Sequence, residues 1–322
     1  MRRRRFIQGL TATAAAALPR ASAIGQSADQ PIRIVFPFAP GGVGDALARM
    51  MADALLKATG RAVIVENRTG GAGRPGVQAV KASEPNGSML LFTPVAPMSI
   101  YPHFYTPLGY DPVADFEPLS QHVTFEFALA VASRVPAKNV KELVAWLKAN
   151  PSEANYGSPA IGTLPYFTGL QFGKLAGIEL RHVSYRGSAA GLVDLVAGQL
   201  PMFITGTGEF AQHHMDGRVR VIATTAKQPF VPGIQTFEEA GYALDASGWY
   251  ATYAPARTPT EILDLYGKVM VDAAKDVANR ERLLVLGLQP TGTSRGELAR
   301  IQKRDMELWG PIIKESGFKP QP

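Results

Sequence analysis

The sequence contains no cysteine. It therefore cannot form a disulfide, a thiolate metal site or a cysteine nucleophile, and its leader cannot carry a lipid on a cysteine. The five histidines are scattered, and His213 and His214 are neighbours that cannot share a helix face, so they form no metal-binding pattern. The patterns G-x-S-x-G and H-E-x-x-H are also absent. We expect no catalytic residue, no metal and no cofactor, and hence no enzyme.

A strong net charge is absent as well, once the N-terminus is set aside. Residues 1–23, MRRRRFIQGLTATAAAALPRASA, contain an arginine cluster, a short apolar run and Ala-Ser-Ala, the three parts of an export signal. The apolar run is too short for a membrane-spanning helix. Five of the 33 basic residues lie in this leader, which leaves 28 against 27 acidic ones. Nothing in this balance favours a nucleic-acid partner.

The leader also indicates an export route. Arg3 and Arg4, followed by Phe6 and Ile7, resemble a twin-arginine signal, and the alternative is an ordinary secretory signal with extra arginines. We predict cleavage near Ala23 and a mature protein in the periplasm.

Apolar runs alternate with helical patterns along the remaining chain, which is long enough for two domains. Residues 31–36, 62–67 and 88–93 are typical of strands, and 45–58 has helical spacing with Gly60 at its end. This order predicts an α/β fold with a doubly wound, mostly parallel sheet in each domain.

Two strand-like segments are predicted to cross between the domains as a two-strand hinge. HVTFEFALAVA, residues 122–132, alternates apolar and polar side chains, and SGWYATYA spans 247–254. Domain I would then be residues 30–122 plus 254–322, and domain II 123–253. Capping boxes are predicted at Thr258–Glu261 and Ser294–Glu297, the second opening a helix that reaches about Glu315.

The stretch FPFAPGGVGD places a glycine turn between the first strand and the first helix. Gly41 and Gly42 allow backbone N–H groups to approach a ligand, and the helix directs its positive dipole end to the same place. The lysine of a phosphate loop and the G-x-G-x-x-G of a dinucleotide site are both missing. The alternative is a plain turn in which Asp45 is the N-cap.

A second turn, YGSPAIGT at residues 156–163, has the same setting. The residue before Thr163 is Gly162 and not lysine, so this is no Walker A loop, but Ser158 and the backbone offer neutral donors. Ligands of open α/β sheets bind at the carboxyl ends of strands. Two such turns, one in each domain, would hold a small anion between them.

Several segments resemble the motifs of the Bug/TctC solute receptors, the extracytoplasmic binding proteins of tripartite tricarboxylate transporters. They are VFPFAPGGVGDALARMMADAL, VENRTGGAG, YDPVADFEPLS, NYGSPAIGT, YRGSAAGLVDLVAGQL and GWYATYAPARTP. The resemblance implies a two-domain periplasmic-binding-protein fold of the type II kind, with a carboxylate held by both turns, partly through ordered water. The sequence departs from the family pattern at Ala160, often glycine, at Tyr166, often histidine, and at Thr205, commonly Asp.

The predicted ligand-binding residues belong to the two turns, the strand ends and the hinge: Phe38, Gly41, Gly42, Asp45, Thr93, Ala96, Tyr156, Ser158, Gly162, Thr163, Arg186, Thr205 and Trp249. Some have a second interpretation. Asp45 could cap the helix or contact ligand, Arg186 could pair an anion or form a salt bridge at the cleft edge, and the aromatic residues could belong to the core.

The predicted function is that of a monomeric periplasmic solute-binding protein, which captures a small organic carboxylate and delivers it to membrane transporter subunits. The alternative is a ligand-dependent signalling module that docks on a membrane sensor kinase. Both need the same cleft, and the sequence leaves the membrane partner and the identity of the carboxylate open.

Overall fold

A computed structural model describes residues 30–229, 231–244 and 246–318. The leader lies outside these residues, so the twin-arginine signal and the cleavage site stay predictions. Within the described ranges, no helix is both long and apolar enough to span a membrane.

Strands and helices alternate, which confirms the predicted α/β class. The strands are β1 (Ile32–Phe36), β2 (Val63–Asn67), β3 (Met89–Pro94), β4 (Phe116–Ala132), β5 (Asn155–Ser158), β6 (Arg181–Ser184), β7 (Met202–Gly206), β8 (Val219–Thr224), β9 (Ser247–Pro255) and β10 (Gln289–Pro290). The helices are α1 (Val43–Thr59), α2 (Arg74–Lys81), α3 (Val140–Ala149), α4 (Leu164–Ala176), α5 (Ser188–Val196), α6 (Thr207–Met215), α7 (Thr260–Lys275), α8 (Val277–Val285) and α9 (Arg295–Glu315).

Two mixed sheets share one strand. In the first sheet β1 lies between β2 and β3, and these three strands are parallel. Strand β9 lies between β3 and the first half of β4, and it is antiparallel to both. In the second sheet β5 lies parallel between β6 and β7, while β7 and β8 run antiparallel to the second half of β4. Each run of three parallel strands is therefore bordered by a strand that runs opposite to it, β9 in the first sheet and β4 in the second.

Strand β4 passes from one sheet into the other at a single peptide. Glu126 still pairs with Ser247 of β9, and Phe127 already pairs with Gly206 of β7. The predicted apolar face is buried, and burial alternates through residues 123–127; beyond them Ala128, Ala130 and Ala132 are buried too, so both faces of the strand are covered there. Strand β9 pairs wholly within the first sheet, although the sequence boundaries assigned most of it to domain II.

Local signals explain some of the helix ends. Gly60 ends α1 in the left-handed conformation, with φ +68°, and the Ser294 side chain forms the predicted capping box with Glu297 at the start of α9. The box predicted at Thr258 is wrong. Pro259 is the N-cap of α7, and the Thr258 hydroxyl donates instead to the carbonyl of Pro255 at 2.7 Å.

Candidate functional site

A cavity of about 70 Å³ lies between the two sheets. The carboxyl end of β1 and the start of α1 form one wall, and the turn before α4 with the starts of α5 and α6 forms the other. Its surface is mainly apolar and aromatic, with Phe36, Phe38, Val95, Phe125, Phe127 and Tyr250 as the main contributors. Among the described residues that line it there is no lysine or arginine, and the charged group there is Glu209. A ligand here would meet neutral donors and one carboxylate.

The first glycine turn presents the start of α1 to this cavity. Gly42 is the N-cap in an extended conformation, and Gly41 has φ +93°, where glycine is favoured. Asp45 is therefore not the N-cap. Its carboxylate accepts from the Gly41 amide at 3.2 Å, from Arg49 at 3.1 Å and from Asn67 at 2.9 Å, and it lies outside the cavity lining. Burial raises the pKa of Asp45, but these hydrogen bonds outweigh it and hold the pKa below its usual value.

The second turn presents the start of α4. Thr163 is the N-cap and lines the cavity, and its hydroxyl donates to the Ala160 carbonyl at 2.7 Å. The Ser158 hydroxyl donates to the same carbonyl at 3.1 Å and lies 2.8 Å from Nε2 of His182. Burial lowers the pKa of His182 to about 4, so this ring is neutral at pH 7. The two predicted hydroxyls therefore hold the turn in shape.

The two walls are in contact, so the cleft is closed. The Ala39 amide donates to the Arg186 carbonyl at 3.1 Å, and the α1 turn thereby meets the loop before α5. The space at two glycines is also filled from the opposite wall. A Cβ at Gly162 would lie 2.3 Å from the Phe104 ring, and one at Gly208 would lie 1.8 Å from the Leu286 carbonyl oxygen.

Glu209 makes the most distinctive contact of the site. It lies in the first turn of α6, and its Oε1 accepts from the backbone N–H of Val43, the first residue of α1, at 3.1 Å. The Ser188 hydroxyl also donates to it, and Ser188 lies 2.8 Å from the Thr205 hydroxyl. Burial raises the pKa of Glu209 to about 7, although both hydrogen bonds act to lower it.

The structure places the predicted residues in three groups. Those that line the cavity are Phe38, Gly42, Ala96, Thr163 and Thr205. Gly41 and Gly162 belong to the turns without lining it, and Arg186 lines a second cavity of about 260 Å³ beside Gly70–Gly73. Those that lie outside both linings are Asp45, Thr93, Tyr156, Ser158 and Trp249.

The two aromatic residues of the last group are core residues. The Tyr156 hydroxyl donates to the Tyr166 carbonyl at 2.8 Å, and the Trp249 indole N–H donates to Asp305 at 2.7 Å. Both side chains are almost fully buried, so neither faces the cavity. Whether the lining residues contact a ligand stays a prediction.

Sequence reasoning missed Glu209, Ser188 and the segment 286–288, which also lines the cavity. Helix α6 was not predicted, because TGTGEFAQHHM has two glycines and no clear apolar stripe. The available signal was an acid just after the strand LPMFIT, in a chain that lacks the Asp commonly found at position 205.

Comparison with known proteins identifies the family of this chain. The family model described as "Tripartite tricarboxylate transporter family receptor" matches residues 47–318. A UPF0065 protein of Bordetella bronchiseptica is 30% identical over 293 residues, which cover 90% of this chain and 87% of the relative. Protein BugT of Bordetella pertussis is 27% identical over 294 residues, 90% of each chain.

Solved structures agree on the fold. The periplasmic binding protein BugD has a TM-score of 0.86 and 27% identity, with 91% of this chain and 99% of that chain covered. The R. palustris protein Rpa4515, solved with adipate, has a TM-score of 0.86 and 26% identity over 91% of this chain and 99% of that one. The predicted periplasmic-binding-protein fold is thus confirmed, and the family and these neighbours are receptors and binding proteins rather than enzymes.

Proposed function

The chain belongs to the tripartite tricarboxylate transporter receptor family, and from this premise we propose that it captures a small organic carboxylate between its two sheets. It then delivers this ligand to the membrane subunits of a transporter. The proposed mature protein works in the periplasm as a monomer with two domains, which meet at the Glu126–Phe127 peptide of β4 and before Ser247 of β9.

One observation carries this proposal: the starts of two long helices face the same cavity from opposite sheets. Gly42 and Val43 open α1, Thr163 and Leu164 open α4, and all four line the cavity. Helix N-termini stabilise anions through free N–H groups and the helix dipole. A ligand that places a carboxylate at one of these helix ends and reaches the other would contact both domains, and binding would therefore favour the closed arrangement.

The relatives support the ligand class and the partner. Rpa4515 was solved with adipate, which is a carboxylate, and its fold covers nearly the whole of the present chain. The family description names a tripartite tricarboxylate transporter, which favours a transporter over a sensor kinase as the membrane partner.

Titration calorimetry with linear carboxylates of three to eight carbons tests the proposal, with the matching amides and methyl esters as controls. We expect the acids to bind and the neutral derivatives to bind at least tenfold more weakly, because helix ends favour the charge. Equal affinity for an acid and its ester would contradict a carboxylate receptor. Because no cation lines the cavity, we also expect affinity to depend only weakly on salt.

The export route is a separate proposal that rests on Arg3 and Arg4. Replacing both by lysine should trap the precursor in the cytoplasm if the twin-arginine route is used. Normal processing of that variant to a product starting near Ile24 would indicate a general secretory signal instead.

A further inference from the structure

The start of α1 already has a carboxylate partner in this protein. Glu209 reaches across the cleft and accepts the Val43 N–H at 3.1 Å. The space above Gly42 is taken as well, since a Cβ there would lie 3.2 Å from Oε1 of Glu209. The position where a ligand carboxylate would meet α1 is therefore occupied by a side chain of α6.

Among the described residues that line the cavity, none carries a positive charge that would balance the carboxylate of Glu209. No lysine or arginine is found among the lining residues, and Arg49, the basic residue of α1 nearest to the turn, is bonded to Asp45. Burial raises the pKa of the neighbouring Tyr250 of β9, and the charge of Glu209 raises it further. A second carboxylate brought to the α1 end would thus face Glu209 in a mainly apolar space, where like charges repel strongly.

The opposite end of the cavity is different. At the start of α4 the cavity is lined by Thr163, Leu164 and Pro165. The hydroxyl of Thr163 donates to the Ala160 carbonyl. Among the described residues that line the cavity, the one acidic side chain is Glu209, and its carboxylate is bonded to Val43 at the start of α1 on the opposite wall. A single carboxylate can therefore be accepted at α4 while the rest of the ligand extends through the apolar space towards α1.

Resting on the proposed function, we propose that Glu209 is a specificity-determining residue that admits monocarboxylates and excludes dicarboxylates. The ligand places its one carboxylate at the start of α4 and an uncharged end beside Glu209. A ligand with a carboxylate at both ends brings the second one against Glu209, and is rejected.

The same contact could instead serve only to hold the two domains together. A purely structural latch would change the affinity of every ligand by a similar factor when it is removed. A specificity residue changes the ratio between ligands. The test therefore compares pairs of acids that have the same number of carbons and differ in the second carboxylate.

The experiment titrates butyrate against succinate and hexanoate against adipate at pH 8, extended to matched pairs of three to eight carbons. The proteins are the full mature chain, Glu209→Gln and Glu239→Gln. Glutamine at 209 keeps an oxygen for the Val43 N–H without the charge. Glu239 lies outside the cavity lining and pairs with Lys227, so its variant removes one negative charge from elsewhere on the protein.

The unmodified protein should bind the monocarboxylate at least tenfold more tightly than its dicarboxylate partner, a difference of about 1.4 kcal/mol. Glu209→Gln should reduce this ratio at least tenfold, and Glu239→Gln should leave it within twofold. The inference is overturned if Glu209→Gln shifts both acids equally, or if the unmodified protein prefers dicarboxylates. If no acid of either kind binds to any of the three proteins, the carboxylate function itself fails, and the inference falls with it.

Discussion

The indole nitrogen of Trp249 donates to Oδ2 of Asp305 at 2.7 Å, a bond that ties strand β9 to helix α9. Both side chains are almost fully buried, and the Arg304 guanidinium donates to Oδ1 of Asp305 at 2.7 Å. A residue that sequence reasoning assigned to the ligand site is therefore part of the support behind it.

Replacing Trp249 with phenylalanine should lower the free energy of unfolding by about 1–3 kcal/mol, because a buried carboxylate oxygen loses its donor. Carboxylate affinity should stay within threefold, since the side chain does not reach the cavity. Urea unfolding and calorimetry measure the two quantities. The half-buried Trp146 of α3 provides the control exchange, Trp146→Phe. A large loss of affinity in Trp249→Phe at unchanged stability would return Trp249 to the ligand site.

Valine at Gly42 should weaken carboxylate binding at least tenfold, about 1.4 kcal/mol, because its side chain would fill the α1 end of the cavity and press on Glu209, whose Oε1 lies 3.2 Å from the Cβ position. The backbone of Gly42 is extended, with φ −91° and ψ 175°, so a side chain causes no strain there. Gly296→Val at an exposed position in the first turn of α9 serves as control. Normal binding by Gly42→Val would place the ligand away from α1.

The same exchange at Gly162 is expected to act differently. This residue has φ +73°, and a Cβ would lie 2.3 Å from the Phe104 ring, so Gly162→Val should lower stability together with affinity. A circular-dichroism melt decides between the two effects. An unchanged melting temperature would show that the turn can relax around a side chain.

Glu209 should make stability fall as pH rises from 4.5 to about 7. Its pKa is raised in the folded protein from 4.5 to about 7, so the folded state holds a proton that the unfolded state has released in this window. The stabilisation is present in full below pH 4.5 and is lost as pH rises through 7, about 3 kcal/mol in all. The free energy of unfolding of Glu209→Gln, measured in urea, should therefore rise relative to that of the unmodified protein between pH 4.5 and 7.5. Parallel curves would contradict the raised pKa.

Two buried histidines change the pH dependence of stability in the opposite direction. Their effect is the same in the unmodified protein and in Glu209→Gln, so it cancels in the difference between the two. Burial lowers the pKa of His122 to about 3 and that of His182 to about 4, both from 6.5. Their contribution is present above pH 6.5 and is lost as pH falls towards these lowered values. Because these effects oppose that of Glu209, the free energy of unfolding of the unmodified protein should vary less with pH than Glu209 alone or the histidines alone would make it vary.

An aromatic contact should favour closure from outside the cavity. Phe318, just after α9, packs on Phe104 with ring centres 4.8 Å apart, and on Tyr166 and Phe167 of α4 at 5.0 and 5.5 Å. Phe318→Ala should populate the open form and weaken binding three- to tenfold, with Phe318→Leu closer to the unmodified protein. Small-angle scattering without ligand should show a larger radius of gyration for the alanine variant. Unchanged scattering and affinity would show that closure is independent of this contact.

Much of the fold follows from local patterns in the sequence. The alternation of 122–132 predicted a strand there, and the capping box at Ser294 predicted the start of α9, because each signal depends on neighbours within a few residues. Both glycine turns could be placed at strand ends for the same reason.

The remaining part of the site depends on distant residues. Glu209 meets Val43, which is 166 positions away, and Trp249 meets Asp305 across 56 positions. No local pattern records such a pairing. The failure at Thr258 is of another kind, since Pro259 took the N-cap position and the hydroxyl found a carbonyl behind it.

The sharing of β4 between two sheets also bears on how the molecule can assemble. The first sheet needs β9, whose residues 247–255 are synthesised only after every strand of the second sheet. Such separated pairings slow folding, because a long segment must be closed before they form. Neither half of the molecule is a complete unit when made alone, since each would leave half of β4 with unpaired edges prone to aggregation. We therefore expect the chain to unfold in one cooperative transition, and an isolated fragment ending before residue 247 to accumulate in insoluble form.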